Sequence, residues 1–536
     1  MKLLTFILLF GLLAVFLVHN FDSIGQDIGR HLKTGEIIWE TKSVPTTNLF
    51  SFTEPDFPFT NHHWLSEVIF YGVYNLGGFT GLILLKIFVV LATFILLLLT
   101  IKPLWIIDLR SRLSTGVRVG FWPIIVSFVL SIFIFISRTE VRPEIFSFLI
   151  LAFFLSALFK AKYELTTSEV RGTPDVKTPS WLWFLPLAQL LWVNLHIYFF
   201  IGPILFLAFF IDRLFDPIIR NTKYVIQKLL LVGGLIGLAT LINPAGIQGA
   251  LLPFNILKEY GYSIVENQTL AFLADLFGFN LSIFIFKIST AVLVVSFLLT
   301  VKKTKERIFE ILISTFFIYA GFRMLRNLPL YALASFPVMV ILLTDVFSAF
   351  QKPGFWRQAE ARLQWAAKML LVVFLVFMIF FVASGGYYKW ARLSKTFGFS
   401  VPDGLERAAS FVKKNNIEGP MFNNFDIGGY LIWKLPEEKV FVDNRPEAYS
   451  VEFFSEIYKP MQENREKWEE FSNKYGINFI FFGHTDATPW GQAFLKSIIR
   501  NSDWKVVFIN ENAIILVKNN DKNRPVFSKY KYELAE

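Results

Sequence analysis

The sequence contains no cysteine, which excludes disulfide bonds, thiolate metal sites and cysteine nucleophiles. Charged residues are also scarce: they make up 18% of the 536 residues, against about 25% in soluble proteins. The net charge of +10 comes without the basic and aromatic module typical of nucleic-acid-binding domains, so we expect no nucleic-acid partner.

Hydrophobic residues dominate the composition. They make up 54% of the chain, phenylalanine alone supplies 62 residues, and the mean hydropathy is +0.50. This apolar surface exceeds what one soluble core could bury, so membrane lipids are the expected solvent. Eleven apolar windows predict an α-helical polytopic membrane protein with about eleven transmembrane helices. The windows are 3–18, 80–101, 120–137, 145–159, 181–197, 199–211, 225–242, 281–301, 308–321, 328–344 and 369–383.

The two windows within 181–211 meet near His196 without a polar loop between them. They form either a tight hairpin of two helices or one broken element. The choice changes the number of helices and therefore stays open at this point.

Lysine and arginine are concentrated in alternate loops, which predicts the orientation because positive residues stay on the cytoplasmic side. The N-terminus is then cytoplasmic, and residues 20–79 and those after about 385 lie outside. No small-x-small cleavage site precedes Asp22, so we expect an uncleaved first helix, and the lack of organellar targeting features favours a bacterial plasma membrane. The predicted cytoplasmic residues are Lys102, Arg110, Arg112, Arg118, Lys160, Lys162, Arg171, Lys177, Arg213, Arg220, Lys223, Lys228, Lys302, Lys303, Lys305, Arg307, Lys352, Arg357, Arg362 and Lys368.

The composition after the last window is that of a water-soluble domain. We predict a multi-pass transmembrane domain, 1–390, with a large first external loop, 20–79, and a small C-terminal extracytoplasmic α/β domain, 397–536. Hydrophobic spacing in this domain predicts helices over 405–412 and near Trp468, and strands near Met421, at 439–442 and at 477–482. A closing hairpin pairs 504–509 with 513–517.

The first external loop is the most informative stretch. It contains Asp27, Arg30 and His31, followed by Asn61-His62-His63-Trp64-Leu65-Ser66-Glu67. Acidic groups just beyond the first helix, with tryptophan and histidine at membrane depth, suit a site at the bilayer surface; an ordinary amphipathic loop in headgroup water is the alternative. Adjacent histidines on an extended chain point in opposite directions, so we do not expect His62 and His63 to share a metal ion.

Four arginines lie on the outer side, against the general distribution of charge: Arg138, Arg142, Arg323 and Arg326. Guanidinium groups bind phosphate in bidentate fashion, which makes them candidate phosphate ligands. Snorkelling, or pairing with Glu140 and Glu144, is the alternative explanation. Glu266 is a further carboxylate in the next external loop, and exposure to water is its simpler explanation.

The helix layout and loop placement resemble the GT-C superfamily of membrane glycosyltransferases, which carry an essential acidic residue in the first external loop. Asp27-Ile28-Gly29-Arg30-His31-Leu32 resembles that motif and is similar to the Asp-x-x-x-x-Arg form of oligosaccharyltransferase catalytic subunits, with a shorter spacing. Arg138-Thr139-Glu140-Val141-Arg142-Pro143-Glu144 lies where the superfamily has its second acidic motif, but lacks the Asp-x-Asp or Asp-x-Glu form.

The C-terminal domain carries a weaker resemblance. Asn424-Phe425-Asp426-Ile427-Gly428-Gly429-Tyr430 and Val442-Asp443-Asn444-Arg445 resemble the Trp-Trp-Asp-Tyr-Gly region of oligosaccharyltransferases, with both tryptophans missing. The alternative for the first of these segments is a tight turn, in which aspartate and two glycines supply left-handed backbone.

The resemblance implies a hexosyltransferase, inverting in type, that moves a sugar from a polyprenyl-phosphate-linked donor in the membrane to a glycan, lipid or protein acceptor at the extracytoplasmic face. Asp27 is then the catalytic base. The resemblance also admits a divalent metal ion, Mg²⁺ or Mn²⁺, as cofactor. The implied substrate-binding residues are Arg30, His31, His63, Glu140, Arg142, Arg323 and Arg326.

Two other classes of function remain open from the sequence. One is a transporter or flippase of a lipid-linked or anionic substrate, because Lys86 and Lys287 lie inside apolar windows. The other is a non-enzymatic membrane scaffold whose soluble domain binds a partner. In a scaffold, Asp27 should tolerate substitution.

Overall fold

The structure, a computed structural model, describes residues 1–21, 27–107, 120–170, 178–256, 260–349, 357–400 and 403–530. It forms two compact units, and the predicted boundaries at 390 and 397 stay predictions. The first unit comprises Met1–His19, Ile83–Gly246 and Ile264–Gly398; the second comprises Asn20–Leu82, Ile247–Ser263 and Phe399–Glu536. Several residues named above lie outside the described ranges: Asp22, Arg110, Arg112, Arg118, Arg171, Lys177 and Lys352.

A helix lies on each of the eleven apolar windows, as the sequence predicts. The helices up to residue 400 are α1 Lys2–Leu17, α2 Ile28–Thr41, α3 Trp64–Ile107, α4 Phe121–Phe135, α5 Glu144–Val170, α6 Phe184–Leu195, α7 Ile201–Leu214, α8 Pro217–Asn221, α9 Lys223–Ala239, α10 Gly246–Asn255, α11 Leu270–Phe277, α12 Leu281–Leu299, α13 Ile308–Arg323, α14 Leu328–Ala349, α15 Arg357–Ala383 and α16 Gly386–Trp390.

Within the described ranges, six helical stretches are long and apolar enough to cross a membrane. They are Trp64–Ile101, Glu144–Leu165, Ile197–Leu214, Leu281–Leu299, Leu325–Ala349 and Arg362–Ala383. Shorter apolar helices cover Lys2–Leu17, Phe121–Phe135 and Ser180–Leu195. A multi-pass membrane protein is therefore confirmed, and the number of about eleven spans stays a prediction.

The two windows around His196 form a tight hairpin. The segment before α6 contacts Lys160, near the C-terminal end of α5, through a tryptophan ring. At the other end of α5, the Ser147 hydroxyl lies 3.0 Å from Nδ1 of His196. Helix α7 then runs back along α5. The contact that shows this is the hydrogen bond from Lys162 of α5 to Asp212 of α7. His196 forms the turn with extended backbone, at φ −165° and ψ 148°.

Burial differs greatly among the candidate spans. Helix α14 packs against α4, α5, α12 and α13, and 78% of its apolar window is buried. Helix α15 packs against α1, and only 17% of its window is buried. Its exposed side chains, such as Leu370 and Phe380, are apolar, as a helix facing lipid requires.

The C-terminal region forms a four-stranded sheet with helices on it, which confirms the predicted α/β character. The order is β1-β2-β4-β3, with β1 and β2 parallel and the other pairs antiparallel. The elements are α17 Asp403–Lys414, β1 Met421–Asn423, α18 Phe425–Lys434, α19 Pro460–Glu463, α20 Arg465–Lys474, β2 Phe479–Phe482, α21 Pro489–Ile498, β3 Trp504–Ile509, β4 Ile514–Lys518 and α22 Arg524–Lys529.

Strands β1 and β2 are buried on both faces. Met421 and Phe479 pack on one side with residues of α17 and α18, and Phe422 and Ile480 pack on the other with residues of α20 and α21. Alternate residues of a strand point to opposite faces, so both helical layers need apolar partners from each strand. The predicted strand at 439–442 is wrong: it forms a single bridge, between Val440 and Ser51 of the first loop.

Helix α2 packs against α18 through glycine. A Cβ atom on Gly29 would lie 2.5 Å from the carbonyl oxygen of Gly429, and one on Gly428 would lie 2.2 Å from that of Val442. The predicted turn with left-handed glycines is wrong, because Gly428 and Gly429 lie in helix α18. These glycines are required by the close approach of backbones and not by their φ angles.

We expect Gly428→Ala to lower the free energy of unfolding by about 1–3 kcal/mol, because the added methyl group must displace the backbone at Val442. Thermal unfolding of the purified protein in lipid would measure this. Gly72→Ala is the matched control, since nothing lies within 4 Å of its Cβ position in helix α3. Equal unfolding temperatures for the two variants would contradict the proposed close packing.

Candidate functional site

Asp27 immediately precedes helix α2, so its carboxylate lies at a helix N-terminus, where negative charge is favourable. The Nδ2 atom of Asn444 donates a hydrogen bond to its Oδ1 at 2.6 Å. A guanidinium nitrogen of Arg30 lies 3.7 Å from its Oδ2, because residues three apart share one face of a helix. The side chain of Asp27 is 22% exposed.

Glu67, at the start of helix α3, organises the residues behind Asp27. Its buried carboxylate is 2.8 Å from Nδ1 of His31, 3.7 Å from a guanidinium nitrogen of Arg30 and 2.6 Å from Nδ2 of Asn61. Burial lowers the pKa of His31, and the charge of Arg30 lowers it further. The imidazole is therefore neutral near pH 7, with its Nδ1–H donated to Glu67. We call Asp27, Arg30, His31, Glu67 and Asn444 the first-loop cluster.

His63 lies beside this cluster. Its ring centroid is 5.4 Å from that of His31 and 3.7 Å from that of His62. The expectation that the adjacent histidines point in opposite directions is wrong, because the chain turns here instead of being extended. The side chain of Asn61 holds the turn by accepting a hydrogen bond from the backbone N–H of His63 at 3.0 Å.

Asn444 belongs to a short segment anchored by buried ionic hydrogen bonds. Arg445 donates to both carboxylate oxygens of Asp443 at 2.7 Å, and to Oδ1 of Asn48 in the first loop at 2.7 Å. The hydroxyl of Tyr449 donates to the same carboxylate at 3.0 Å. Burial of the guanidinium group would lower the pKa of Arg445, but the ion pair with Asp443 raises it above its ordinary value.

A second group of predicted residues lies in the other unit, around the loop between α4 and α5. Arg138 contacts Glu144 and Glu266, each at 2.6 Å, and Arg142 contacts Glu266 at 2.9 Å. The side chain of Glu266 is 31% exposed, and the sequence did not predict its ion pairs. Burial would raise its pKa, but the arginines lower it to about 2. We call Arg138, Glu140, Arg142, Glu144 and Glu266 the second-loop cluster.

The remaining predicted residues differ in their surroundings. Glu140 forms an ion pair with Lys395. Arg326 donates to the hydroxyl of Tyr198 at 3.0 Å, and its charge reaches Glu266. Arg323 is exposed at the end of helix α13 and, among the described residues, has no hydrogen bond or ion pair. The structure therefore brings Glu140, Arg142 and Arg326 to the second-loop cluster and leaves Arg323 apart.

Lys86 is fully buried inside the apolar part of helix α3. Its ammonium group donates to the carbonyl oxygen of Thr139 at 2.7 Å and lies 3.3 Å from Nε2 of His19. Within the described residues it has no carboxylate in ion-pair distance, which is unusual for a buried ammonium group. Lys287 is exposed, so the two lysines named for the transport alternative are not equivalent.

The described residues do not fit a divalent metal ion. They include no group of three histidine, aspartate or glutamate side chains that could hold one. The oxygens of Glu67 face His31, Arg30 and Asn61, and those of Asp27 face Asn444 and Arg30. A requirement for Mg²⁺ or Mn²⁺ therefore stays a prediction, and the mechanism below uses no metal.

Sequence reasoning missed the roles of Glu67, Asn61 and Asn444. Each occurs in a segment that the sequence already singles out, at 61–67 and 442–445. Nothing in the spacing shows that Asn444 contacts a residue 417 positions earlier. Only the fold places them together.

The chain combines an acidic residue just beyond its first helix, a polytopic helical part and a C-terminal α/β region. The structural comparisons show that it shares the fold of solved oligosaccharyltransferase structures, which confirms the predicted fold. No protein-family model and no curated protein matches the sequence.

Solved structures of the archaeal oligosaccharyltransferase AglB from Archaeoglobus fulgidus share the fold. The complex with an inhibitory peptide and a dolichol-phosphate has a TM-score of 0.55 and 10% identity over 95% of this chain and 75% of that chain. The apo form has a TM-score of 0.56 and 12% identity, over 91% and 71%. The form tethered to an acceptor peptide with the NVT sequon has a TM-score of 0.54 and 11% identity, over 96% and 74%.

We expect Glu266→Gln to destabilise the protein by roughly 2 kcal/mol at pH 7, because Arg138 and Arg142 lose their shared carboxylate. The lowered pKa means that ionised Glu266 stabilises the fold fully above about pH 4.5, and that this contribution is lost as the pH falls toward 2. Unfolding temperatures at pH 7 and pH 3 would measure both effects.

In that comparison, wild type should lose more stability on acidification than Glu266→Gln. Asp275→Asn, at an exposed position of helix α11, removes the same charge and should behave like wild type. An identical loss on acidification in wild type and Glu266→Gln would contradict the assigned ion pairs.

Proposed function

We propose that the protein is a membrane glycosyltransferase that moves a sugar from a polyprenyl-phosphate-linked donor to an extracytoplasmic acceptor. One observation carries the proposal: in an oligosaccharyltransferase-like fold, the carboxylate of Asp27 lies partly exposed at the start of helix α2, between Arg30 and Asn444. A carboxylate so placed suits the removal of a proton from an acceptor.

The proposed reaction is a single displacement that inverts the anomeric carbon. The acceptor oxygen forms a bond to that carbon while its proton passes to Asp27, and the carrier phosphate leaves with the electrons of the broken bond. Arg30 favours the ionised form of Asp27, because an opposite charge within about 4–6 Å stabilises a carboxylate. His31 and Glu67 hold Arg30 from behind and are too buried to be the first contact with an acceptor.

A carrier phosphate needs cationic partners. We propose Arg142 and Arg326 as phosphate-binding residues of their own unit, because both are only partly buried and both lie near Glu266. Their guanidinium groups donate several hydrogen bonds in a fixed plane, which matches phosphate oxygens. Among the described residues Arg323 has no hydrogen bond or ion pair, so we assign it a smaller role than Arg326. We propose His63, beside His31, as a substrate-binding residue next to the first-loop cluster, and Glu140, paired with Lys395, as one of the second-loop cluster.

The donor and acceptor classes follow from chemistry and analogy. AglB structures hold a dolichol-phosphate in one case and an acceptor peptide in another, which supports a lipid-phosphate carrier and leaves a peptide among the acceptors. The segments at 424–430 and 442–445 lack the tryptophans of the related motif, so glycan, lipid and protein acceptors all stay in the proposal. The distribution of lysine and arginine supports a multi-pass membrane protein with its N-terminus in the cytoplasm. The bacterial plasma membrane stays a prediction.

A transporter or flippase is the second candidate, and Lys86 is the observation that favours it. A buried ammonium group inside a candidate span is typical of a pathway for anions or protons. Transport would require Lys86 and would not require Asp27. The third class, a membrane scaffold, would require neither residue.

The test is release and transfer of sugar from a panel of labelled polyprenyl-phosphate sugars by the protein in lipid. We expect Asp27→Asn to lower turnover by about 100-fold or more, because general-base catalysis contributes about 10²–10⁴-fold. Binding of the donor, measured separately, should persist, because the amide keeps the shape of the carboxylate.

Asp56→Asn is the matched control, since Asp56 is an exposed carboxylate of the same loop, and it should turn over like wild type. Donor binding with equal, negligible turnover in wild type and Asp27→Asn, under conditions in which a known transferase works, would count against the proposal. Lys86→Met should then be tested for uptake of lipid-linked substrates into vesicles.

A further inference from the structure

We infer that Asn444 is a positioning residue for Asp27: its amide fixes the orientation of the carboxylate and favours its ionised form. The inference rests on the proposed function, because it assigns a role within the same site. The contact joins the first loop to the C-terminal sequence within one compact unit.

The direction of the hydrogen bond is fixed by chemistry. An ionised carboxylate only accepts hydrogen bonds, so the NH₂ group of Asn444 must face Asp27. Its Oδ1 atom is then turned away and is buried, with no hydrogen-bond partner among the described residues. Burial of an amide oxygen without a partner is unfavourable, so the interaction on the NH₂ side must offset this cost.

The position of Asn444 leaves little freedom. On one side, Asp443 and Arg445 hold the backbone through buried hydrogen bonds. On the other side, helix α18 presents Gly429, at which a Cβ atom would lie 2.8 Å from Oδ1 of Asn444. The amide therefore fits beside helix α18 because residue 429 is glycine.

Asp27 is thus held at both oxygens, by Asn444 at Oδ1 and by Arg30 at Oδ2. A hydrogen bond donated to the charged form of a carboxyl group lowers its pKa. Other titratable groups near the pair are His31 and Glu67 in the first-loop cluster, and Asp443, Arg445 and Glu447 in the anchored segment. These groups remain when Asn444 is replaced, so substitution isolates the contribution of the amide.

The test compares Asn444→Ala and Asn444→Leu with wild type. Leucine keeps the branched shape and the number of side-chain heavy atoms of asparagine but donates no hydrogen bond, so it separates packing from the hydrogen bond. For both variants we expect kcat to fall roughly 10- to 100-fold, with the KM for donor within about twofold. The acidic limb of the kcat profile should move up by about one pH unit, because Asp27 binds its proton more tightly.

A second readout needs no turnover. The pH dependence of carbodiimide labelling at Asp27, followed by mass spectrometry, reports the protonation of that carboxyl group directly. We expect its midpoint to rise by about one pH unit in both variants. Asn519→Ala, at an exposed position beyond β4, should leave the kcat profile and the labelling midpoint unchanged.

The outcomes separate the inference from the proposed function. A labelling midpoint that rises while wild type shows no turnover would support the role of Asn444 and overturn the transferase. Turnover in wild type, with an unchanged limb and midpoint in Asn444→Leu, would overturn the role of Asn444. If both variants fail to fold, Gly429→Ala displaces the same amide and should shift the midpoint in the same direction; no shift would overturn the inference.

Discussion

Helix α2 approaches helix α18 so closely that their contact is made by backbone, and the candidate site depends on this approach. With any side chain at Gly29, the carbonyl oxygen of Gly429 would have to move. Moving α18 away would withdraw Gly429 from Asn444, and Asn444 from the carboxylate at the start of α2. Close packing of this kind fixes positions to within a fraction of an ångström, which is what a proton-transfer site requires.

Buried charges in the protein are arranged around shared carboxylates. The carboxylate of Glu67 is contacted by His31, Arg30 and Asn61. The carboxylate of Glu266 is contacted by Arg138 and Arg142. A carboxylate with several donors keeps its charge when buried, because the hydrogen bonds replace those lost from water. Each cluster thereby holds cationic groups in fixed orientations, and a preorganised cation stabilises developing negative charge better than a mobile one.

The sequence predicted the helices and strands better than it predicted which residues contact each other. A helix lies on each of the eleven apolar windows, and alternating hydrophobic residues mark the closing hairpin of the C-terminal sheet. The errors occur where a neighbour distant in sequence decides the local structure. The segment at 439–442 pairs with Ser51 instead of forming a strand, and Gly428 and Gly429 serve helix packing instead of a turn.

Hydrophobicity and periodicity are local properties, so the sequence alone determined that the chain is a polytopic membrane protein with a C-terminal α/β region and an acidic residue beyond its first helix. The partners of that residue could not be read in this way. Asn444 reaches Asp27 across 417 positions, and Glu67 reaches His31 across 36. Only the tertiary structure decided these contacts, because they depend on which backbones can approach each other. That approach is decided by packing between helices and strands, and not by the sequence within any one of them.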